Sequence, residues 1–372
     1  MTIDVVVLAD AAPIGICGRS SYRWLRGTID TLEPASVRAE GPFAAEFGAG
    51  EPAVPGGVTL FVRTSVPLVR AHTLRAALAA AGDELAGVRS GRQAPWWEPD
   101  PGPGSPIAVA GRATDAAAAF RAARPLVTAH PVESLTVAEP EALASAAYPL
   151  IAAGWIARGV VVEDPASTRI DAGVRIGPGT RILPYTSISG SSVIGADCKI
   201  GPQVTIVNAE IGDGSDVRYA VCQDVQAGAR ANIGPYAWLR SGTKLGDGCR
   251  AGAFVEMADS VVGSGTSVPH MAGLISADVG RDCNVAGLSG PANFNGITRN
   301  RVTIGDGVSI GAGTILVAPL TIADGASTAA GSTITRDIGP GELGLSRATQ
   351  ENLRGWREAQ DARRRAWELA HQ

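Results

Sequence analysis

An aliphatic residue opens five of the six six-residue blocks along residues 304–339, with Thr328 as the exception, and Gly or another small residue usually follows. A helix repeats about every 3.6 residues and an amphipathic strand every two, so neither explains this period. Six-residue repeats are typical of a parallel β-helix, in which short strands alternate with tight corners. The aliphatic side chains are expected to point inward, while Gly, Pro, Asn and Asp permit the corners. The blocks with an aliphatic first residue begin at Ile304, Ile310, Leu316, Ile322 and Ile334.

The same period begins well before this stretch. It is present along residues 170–200, resumes at Ile211 after a slip of one residue, and returns along residues 233–251. One gap, from about Ser289 to Val302, is too long for a corner. Long loops in compact architectures are usually functional or disordered, so we expect this segment to project from the prism as a loop.

The first 155 residues have a different pattern. Apolar runs typical of buried strands, at residues 4–10 and 58–69, are followed by a helical pattern at residues 72–86. Alternating strands and helices predict a small α/β domain. The predicted fold is therefore mixed, with an N-terminal α/β domain (1–155), a parallel β-helix (156–340) and a C-terminal helical tail (341–372).

Helical patterns flank the β-helix on both sides. Residues 138–158 are predicted to form a helix broken near Pro149. The charged tail, residues 347–372, carries Trp356 and Trp367. The last coil of a β-helix exposes unpaired backbone groups. We therefore expect the tail to form a helix that packs on that coil or on a neighbouring subunit.

Composition excludes several classes of protein. Hydrophobic residues make up 45% of the chain and aromatic residues only 5%, as expected for a prism filled by Ile, Val and Ala. A formal charge of −4 argues against a nucleic-acid-binding protein. No signal peptide or membrane span is visible, so we expect a cytoplasmic protein with no membrane partner. Cys198, Cys249 and Cys283 fall at small-residue positions of the repeat, and we interpret them as core residues in a reducing cytosol.

One histidine, His270, lies within the predicted β-helix. The pattern alone leaves two interpretations open: a histidine satisfied at a corner of the prism, or a group that carries chemistry. A hexapeptide carbonic anhydrase would need three histidine ligands for its metal, so that class is excluded.

Residues 233–356 resemble the acetyltransferase domain of the bifunctional N-acetylglucosamine-1-phosphate uridylyltransferase / glucosamine-1-phosphate acetyltransferase family. The resemblance rests on IGPYAWLRSGTKL, GAFVEM, the segment around His270, ANFNG, and LVAPLTIADGASTAAGSTITRDI followed by LSR at residues 345–347. It implies a homotrimer of left-handed parallel β-helices. Acetyl-CoA would bind in a groove between two prisms, each active site would be shared between subunits, and acetyl transfer would need no metal.

The resemblance also implies roles for individual residues. His270 matches the catalytic base, which takes a proton from the attacking amine. Glu256 matches a position near the base, where a carboxylate would orient the imidazole. Asn293 matches the residue that contacts the reacting amine. Phe294 stands where the family has Tyr, at the position whose backbone N–H faces the carbonyl oxygen and stabilises the oxyanion.

Two further groups of residues match binding positions of the family. Arg240, Asn284 and Arg299 match positions that hold the sugar phosphate of the acceptor, with Arg299 in place of a Lys. Ala312, Ala330 and Arg347 match the coenzyme groove, with Ala312 in place of a Ser and Arg347 suited to a coenzyme phosphate.

The sequence departs from the family on the acceptor side. Ala258 replaces a Lys and Gly273 replaces a Tyr, both of which would contact the acceptor phosphate. Losing these contacts while keeping the base predicts a changed acceptor. We expect a small or differently charged amine, such as one that bears a carboxylate held by Arg240 and Arg299.

The N-terminal region resembles sugar nucleotidyltransferases over residues 64–78. Ser65 stands where the metal-binding Asp should be, and residues 5–15 lack the Gly-rich nucleotide loop. Without the carboxylate, Mg²⁺ and the nucleotide phosphates have no anchor. We interpret the region as a degenerate and inactive nucleotidyltransferase-like domain.

Three functions follow from these observations. The first is an acetyl-CoA-dependent N-acetyltransferase that acts on an altered amine. The second is the full bifunctional enzyme of UDP-N-acetylglucosamine synthesis, which Ser65 and the missing loop disfavour. The third is a non-catalytic trimeric scaffold, which the combination of His270 and Asn293 disfavours.

Overall fold

The computed structural model describes residues 140–371 without interruption. Within the first 139 residues it describes only shorter segments, namely residues 3–8, 15–16, 19–32, 34, 36–40, 58–63, 71–80, 86–89, 106–111 and 124–128.

The described N-terminal segments form a mixed β-sheet and two helices. In chain order they are β1 (Ile3–Leu8), β2 (Gly15–Ile16), β3 (Arg19–Ser20), α1 (Ser21–Asp30), β4 (Ser36–Glu40), β5 (Val58–Arg63), α2 (Ala71–Ala80), β6 (Ala86–Arg89), β7 (Pro106–Gly111) and β8 (Arg124–Thr128). The sheet has the order β4-β1-β5-β7-β6-β8. β1 pairs in parallel with β4 and β5, whereas β7 is antiparallel to β5 and β6. The predicted α/β character of this region is confirmed.

One predicted boundary is wrong: Ala86, the last residue of the predicted helix, is the first residue of β6. Residues 64–70 and 81–85, over which the predicted ends of β5 and α2 otherwise fall, lie outside the described residues. Ser65 and residues 9–14 lie outside the described residues.

Helix α3 (Pro140–Ile156) leads into the solenoid. The helix is continuous through Pro149, where a break was expected. Proline removes one backbone hydrogen bond from a helix interior. Ala152 is buried in the solenoid core and Trp155 packs against that core, so the turn after Pro149 is held by tertiary contacts.

The solenoid that follows is built from very short strands. Its first half contains β9 (Val161–Val162), β10 (Arg169–Ile170), β11 (Arg175–Ile176), β12 (Arg181–Ile182), β13 (Ser187–Ser189), β14 (Val193–Ile194), β15 (Lys199–Ile200), β16 (Thr205–Val207), β17 (Glu210–Ile211), β18 (Asp216–Val217), β19 (Val221–Gln223), β20 (Gln226–Ala227), β21 (Asn232–Ile233), β22 (Trp238–Leu239) and β23 (Lys244–Leu245). Its second half contains β24 (Arg250–Ala253), β25 (Glu256–Ala258), β26 (Val261–Val262), β27 (Ser267–His270), β28 (Gly273–Ile275), β29 (Ala277–Val279), β30 (Asn284–Val285), β31 (Gly290–Ala292), β32 (Val302–Ile304), β33 (Ser309–Ile310), β34 (Ile315–Val317), β35 (Leu320–Ile322), β36 (Ser327–Thr328), β37 (Thr333–Ile334) and β38 (Leu343–Gly344).

These strands stack in parallel into three faces of a prism. The first face is an 11-stranded sheet that contains β27, β30, β33 and β36. The second face is a 7-stranded sheet that ends at β28, followed along the axis by the 3-stranded sheet β31-β34-β37. The third face is a 9-stranded sheet that contains β29 and β32.

Equal positions of the repeat lie one above the other. Ile182 pairs in register with Ile200, and Ile200 pairs with Val217. All three side chains are fully buried, whereas Arg181 and Lys199, which precede two of them, are exposed. The inward aliphatic column and the parallel β-helix that the six-residue period predicts are therefore confirmed.

The corner between the first and second faces carries large side chains on a left-handed backbone. Its residues with positive φ are Tyr185, Gln203, Tyr219, Tyr236, Phe254, Met271 and Leu288. Tyr236, Phe254, Met271 and Leu288 are exposed, and we call these four residues the apolar ladder. The rings of Tyr236 and Phe254 stack at 5.2 Å between centroids. In the next two coils Gly313 and Gly331 take over the same corner position, with positive φ.

The gap in the repeat is a projecting loop, as predicted. It leaves the prism after β31 and returns at β32, and we call residues 293–301 the transfer loop. Ile297 at its tip is 88% exposed. The tail forms helix α4 (Trp356–Ala370), but no residue of α4 is buried. The expected packing of this helix on the last coil is therefore wrong for the single chain, and packing on a neighbouring subunit stays a prediction.

Candidate functional site

Four residues occupy the same corner position in successive coils. Each of them directly precedes a corner residue with positive φ. They are His270, Gly287, Ala312 and Ala330. Backbone hydrogen bonds fix the order: the N–H after Ala312 donates to the carbonyl of Gly287 at 2.9 Å, and the N–H after Ala330 donates to the carbonyl of Ala312 at 2.8 Å. Arg347 extends the series, because its Nη1 donates to the carbonyl of Ala330 at 3.0 Å. We call these five residues the His270 column.

The His270 column brings together residues that are far apart in sequence. Neighbouring parallel strands lie about 4.8 Å apart, so three steps separate His270 from Ala330 by about 14 Å. Ala312 and Ala330 are exposed and carry only a methyl group, so neither adds a long side chain to this part of the corner. The three residues that the sequence assigns to the coenzyme groove thus lie in line with the predicted base.

The His270 ring lies along this column. A methyl group built on the buried Gly287 would approach its Cδ2 to 2.6 Å and its Nε2 to 2.9 Å. The ring therefore packs on the bare backbone of Gly287, on the side that leads to Ala312. His270 is exposed, and across residues 140–371 its ring has no hydrogen bond or ion pair with a protein group.

Glu256 lies on the second face, one coil after Arg240. Its Oε1 accepts a hydrogen bond from Arg240 Nη1 at 2.8 Å. The Arg240 guanidinium also lies 4.7 Å from the centroid of the Trp238 ring. Trp238 and Glu256 are register partners, which places the Arg240 side chain within reach of the carboxylate. The expected contact between Glu256 and His270 is not formed in this chain, because Glu256 pairs with Arg240 instead.

The transfer loop presents two groups suited to acyl transfer. Asn293 Nδ2 donates to the carbonyl of Ile275 at 3.1 Å, which leaves Oδ1 as the acceptor available to an ammonium or amine. Phe294 and Arg299 form an antiparallel bridge whose hydrogen bonds come from the flanking residues Asn295 and Asn300. In such a pair the N–H of the central residue points away from its partner. Within the described residues the Phe294 N–H meets no protein acceptor.

The two remaining acceptor candidates lie apart from each other. Arg299 is exposed on the transfer loop, and it has no ion pair within the described part of the chain. Asn284 is exposed on the first face, where it is the register partner of Ser267 on the strand that ends at His270. The structure therefore groups the predicted residues into the His270 column, the Arg240–Glu256 pair and the transfer loop, and leaves Asn284 apart from them on the first face.

His270 and Asn293 lie at opposite ends of strand β28. His270 precedes the strand by three residues, while Asn293 bonds to Ile275, the last residue of the strand. A three-residue strand spans about 10 Å. One chain alone therefore does not bring the two groups together.

The two positions where the sequence departs from the family leave space on the second face. A Cβ built on Gly273 meets no atom within 4 Å, and the glycine has an ordinary backbone conformation. Ala258 is half-buried on the same strand as Glu256. Neither residue supplies a hydrogen bond or a charge to an acceptor.

Sequence reasoning missed two residues that shape the site. Gly287, which supports the His270 ring, could have been found by following the repeat one coil forward from His270. Arg301, which binds Asp259 and Asp278, lies at the end of the break in the repeat, where the period does not predict which residues meet.

The four cysteines that the structure describes have no place in this chemistry. Cys198, Cys222, Cys249 and Cys283 are buried free thiols. Burial raises the pKa of Cys222 to about 12. Among the described residues no cluster of three or more His, Cys, Asp or Glu side chains could hold a metal ion, and no helix is long and apolar enough to cross a membrane.

Comparison with known proteins agrees with this architecture. Residues 173–208 match the family model described as bacterial transferase hexapeptide (six repeats). The bifunctional protein GlmU of Mycobacterium marinum is 44% identical over 198 residues, which are 53% of this chain and 40% of that protein. The bifunctional protein GlmU of Bifidobacterium longum subsp. infantis is 37% identical over 205 residues, 55% of this chain and 45% of that protein.

Among solved structures, the UDP-N-acetylglucosamine acyltransferase from Campylobacter jejuni is 20% identical, with a TM-score of 0.28 over 56% of this chain and 82% of that one. The chain spans less than half the length of the curated relatives it matches. It contains hexapeptide repeats, and roughly half of its length is similar in sequence to bifunctional proteins GlmU.

Proposed function

We propose that the protein is an acyltransferase that transfers the acetyl group of acetyl-CoA to the nitrogen of a small amine, with His270 as the base. The observation that carries the proposal is the His270 column. A base, three small residues and an arginine follow one another along one corner of the prism. A long, thin acyl donor with a phosphate at one end and a thioester at the other fits this order of groups.

The chemistry follows from the groups at each end. An ammonium cannot attack a thioester, so His270 takes a proton from the acceptor and the neutral amine attacks the acetyl carbon. Asn293 Oδ1 accepts a hydrogen bond from the amine, and the Phe294 N–H donates to the developing oxyanion. The C–N bond forms and the C–S bond breaks. The proton on His270 passes to the departing coenzyme sulfur, and the second proton that the nitrogen loses leaves to solvent.

A homotrimer would complete the site. His270 and Asn293 are separated by the length of β28, so in our proposal the base of one prism works with the transfer loop of a neighbour. The exposed apolar ladder beside His270 supports the proposal, because a contiguous apolar strip of this kind is typical of a surface that another molecule covers. A fully active monomer, measured by light scattering at the assay concentration, would refute the shared site.

The acceptor is an amine with less negative charge than a sugar phosphate. Arg240 is already paired with Glu256, which leaves Arg299 as the uncommitted cation among the acceptor residues. Ala258 and Gly273 add no contact on the second face. A single carboxylate, bound by one arginine, satisfies this arrangement better than a phosphate dianion does.

The experiment measures release of coenzyme A from acetyl-CoA in the presence of amino sugars, their phosphates, amino acids and other small amines. The wild-type protein is compared with His270→Gln and with His371→Gln, a control directly after α4 and outside the site. We expect His270→Gln to lower kcat by roughly 10²–10⁴ and the control to change nothing. Undiminished turnover by His270→Gln at saturating acceptor would remove His270 as the base. No release with any amine would favour a non-catalytic scaffold.

A second candidate is acetylation of glucosamine 1-phosphate, the reaction that the family resemblance implies. The identity of 37–44% to bifunctional proteins GlmU over this half of the chain favours it. The same assay separates the two candidates, because glucosamine 1-phosphate would then be a better acceptor than any carboxylate-bearing amine.

A further inference from the structure

Arg301 lies at the last position of the transfer loop, directly before strand β32. Its Nη1 and Nη2 each donate to the backbone carbonyl of Asp259 at 3.0 Å. Nη2 also donates to Asp259 Oδ1 at 3.1 Å, and Nε lies 3.5 Å from Asp278 Oδ2. One guanidinium therefore connects the end of the loop to a carbonyl and two carboxylates.

The partners of Arg301 belong to earlier coils of the prism. Asp259 is the corner residue between the second and third faces and has a left-handed backbone. Asp278 lies on β29 and is the register partner of Thr303 on β32. A planar, five-donor guanidinium can bind such a divided set of acceptors, whereas a lysine ammonium, as a compact point charge, meets only part of it.

The other leg of the transfer loop is fastened to the same part of the prism. Asn293 bonds to the Ile275 carbonyl at the end of β28, and the Asn300 N–H donates to the Asn293 carbonyl at 2.7 Å. The two legs thus hold each other, and Arg301 fixes the second leg to the coils beneath. Phe294 lies between these points of attachment, so the direction of its N–H depends on both.

We propose that Arg301 is a positioning residue, which holds the Asn293 amide and the Phe294 N–H at the place where the acyl group is transferred. The catalytic part of this inference rests on the proposed function. Arg301 acts through the transfer loop and does not itself need to touch either substrate.

The test compares Arg301→Gln and Arg301→Lys with Arg281→Gln. Arg281 forms an exposed ion pair with Asp306 at 2.8 Å, so the control also removes one arginine that connects two coils. We expect Arg301→Gln to lower kcat on the order of tenfold and Arg301→Lys to be intermediate. The KM for acetyl-CoA and the melting temperature should match those of the control.

A second measurement follows the loop without using activity. Phe294 is 63% exposed, and chymotryptic cleavage after it, identified by mass spectrometry, reports how often the loop opens. Cleavage should be on the order of tenfold faster in Arg301→Gln than in the wild type and the control. Neither Arg301→Gln nor the control Arg281→Gln removes the peptide bond after Phe294, which the protease cuts.

The two measurements separate the possible failures. Unchanged cleavage would show that Arg301 does not hold the loop. Faster cleavage with an unchanged kcat would show that the loop position does not matter for transfer, and would overturn the proposed role. Faster cleavage in a protein that acetylates no amine would refute the proposed function, and the catalytic role of Arg301 with it, while the loop attachment stands.

Discussion

Two substitutions, Ala258→Lys and Gly273→Tyr, should change which acceptor the site prefers. Both lie on the second face, on the neighbouring strands β25 and β28. A Cβ at Gly273 meets no atom within 4 Å and the backbone there needs no left-handed conformation, so a side chain can begin at this position without moving the backbone. We expect the double variant to gain activity with glucosamine 1-phosphate, because each new side chain offers one contact to the phosphate.

The size of the gain follows from the energy of such contacts. A hydrogen bond to a charged group contributes about 1.5–3 kcal/mol, and an ordinary one about 0.5–1.5 kcal/mol. A lysine and a tyrosine together would therefore contribute about 2–4.5 kcal/mol. Since about 1.4 kcal/mol corresponds to a factor of ten, kcat/KM for the sugar phosphate should rise by roughly thirtyfold to a thousandfold.

The assay is coenzyme A release at subsaturating glucosamine 1-phosphate, with Ala258→Gln and Gly273→Ala as controls that fill the same positions without the decisive groups. A folded double variant that is no better than these controls would refute the idea that acceptor choice resides at these two positions. A wild-type protein that already turns over glucosamine 1-phosphate faster than other amines would refute it as well.

Further expectations concern the donor groove, the core and the thiols. Arg347→Ala should raise the KM for acetyl-CoA by about tenfold and leave kcat nearly unchanged, which steady-state kinetics will check. Ile200→Ala should lower the free energy of unfolding by about 2–5 kcal/mol in urea titrations, whereas Lys199→Ala, its exposed neighbour, should stay within about 0.5 kcal/mol. In a Cys17→Ser background, thiol reagents at pH 8 should label Cys222 only after unfolding. Burial raises the pKa of Cys222 to about 12 and keeps the thiol protonated in the folded state. Labelling of Cys222 in the native protein at the rate of a free thiol would contradict this.

The six-residue period predicted the solenoid because it states directly which residues stack. Ile182, Ile200 and Val217 share one inward position, and a parallel ladder places such residues in register. The N-terminal elements have no such repeat, and the predicted helix at residues 72–86 was extended to Ala86, which is the first residue of β6. Apolar runs show that an element exists, whereas its end depends on tertiary contacts that a local pattern does not contain.

The candidate site was predictable to the extent that its residues follow the six-residue repeat. The order of His270, Ala312 and Ala330 along one corner follows from the repeat once the coils are counted. The pairing of Glu256 with Arg240 does not, since it depends on how two long side chains extend from neighbouring coils. The attachment of the transfer loop by Arg301 lies beyond the repeat altogether.

The repeat also explains how the acceptor side of such a site could change while the donor groove stays the same. In a solenoid each coil contacts only its neighbours, so a substitution acts locally along the axis. Ala258 and Gly273 lie on the second face near His270, whereas Ala312 and Ala330 lie on the corner two and three coils further along. Acceptor contacts can therefore be lost without disturbing the donor groove. The double variant tests this separation as well, since its KM for acetyl-CoA should equal that of the wild type even as its acceptor changes.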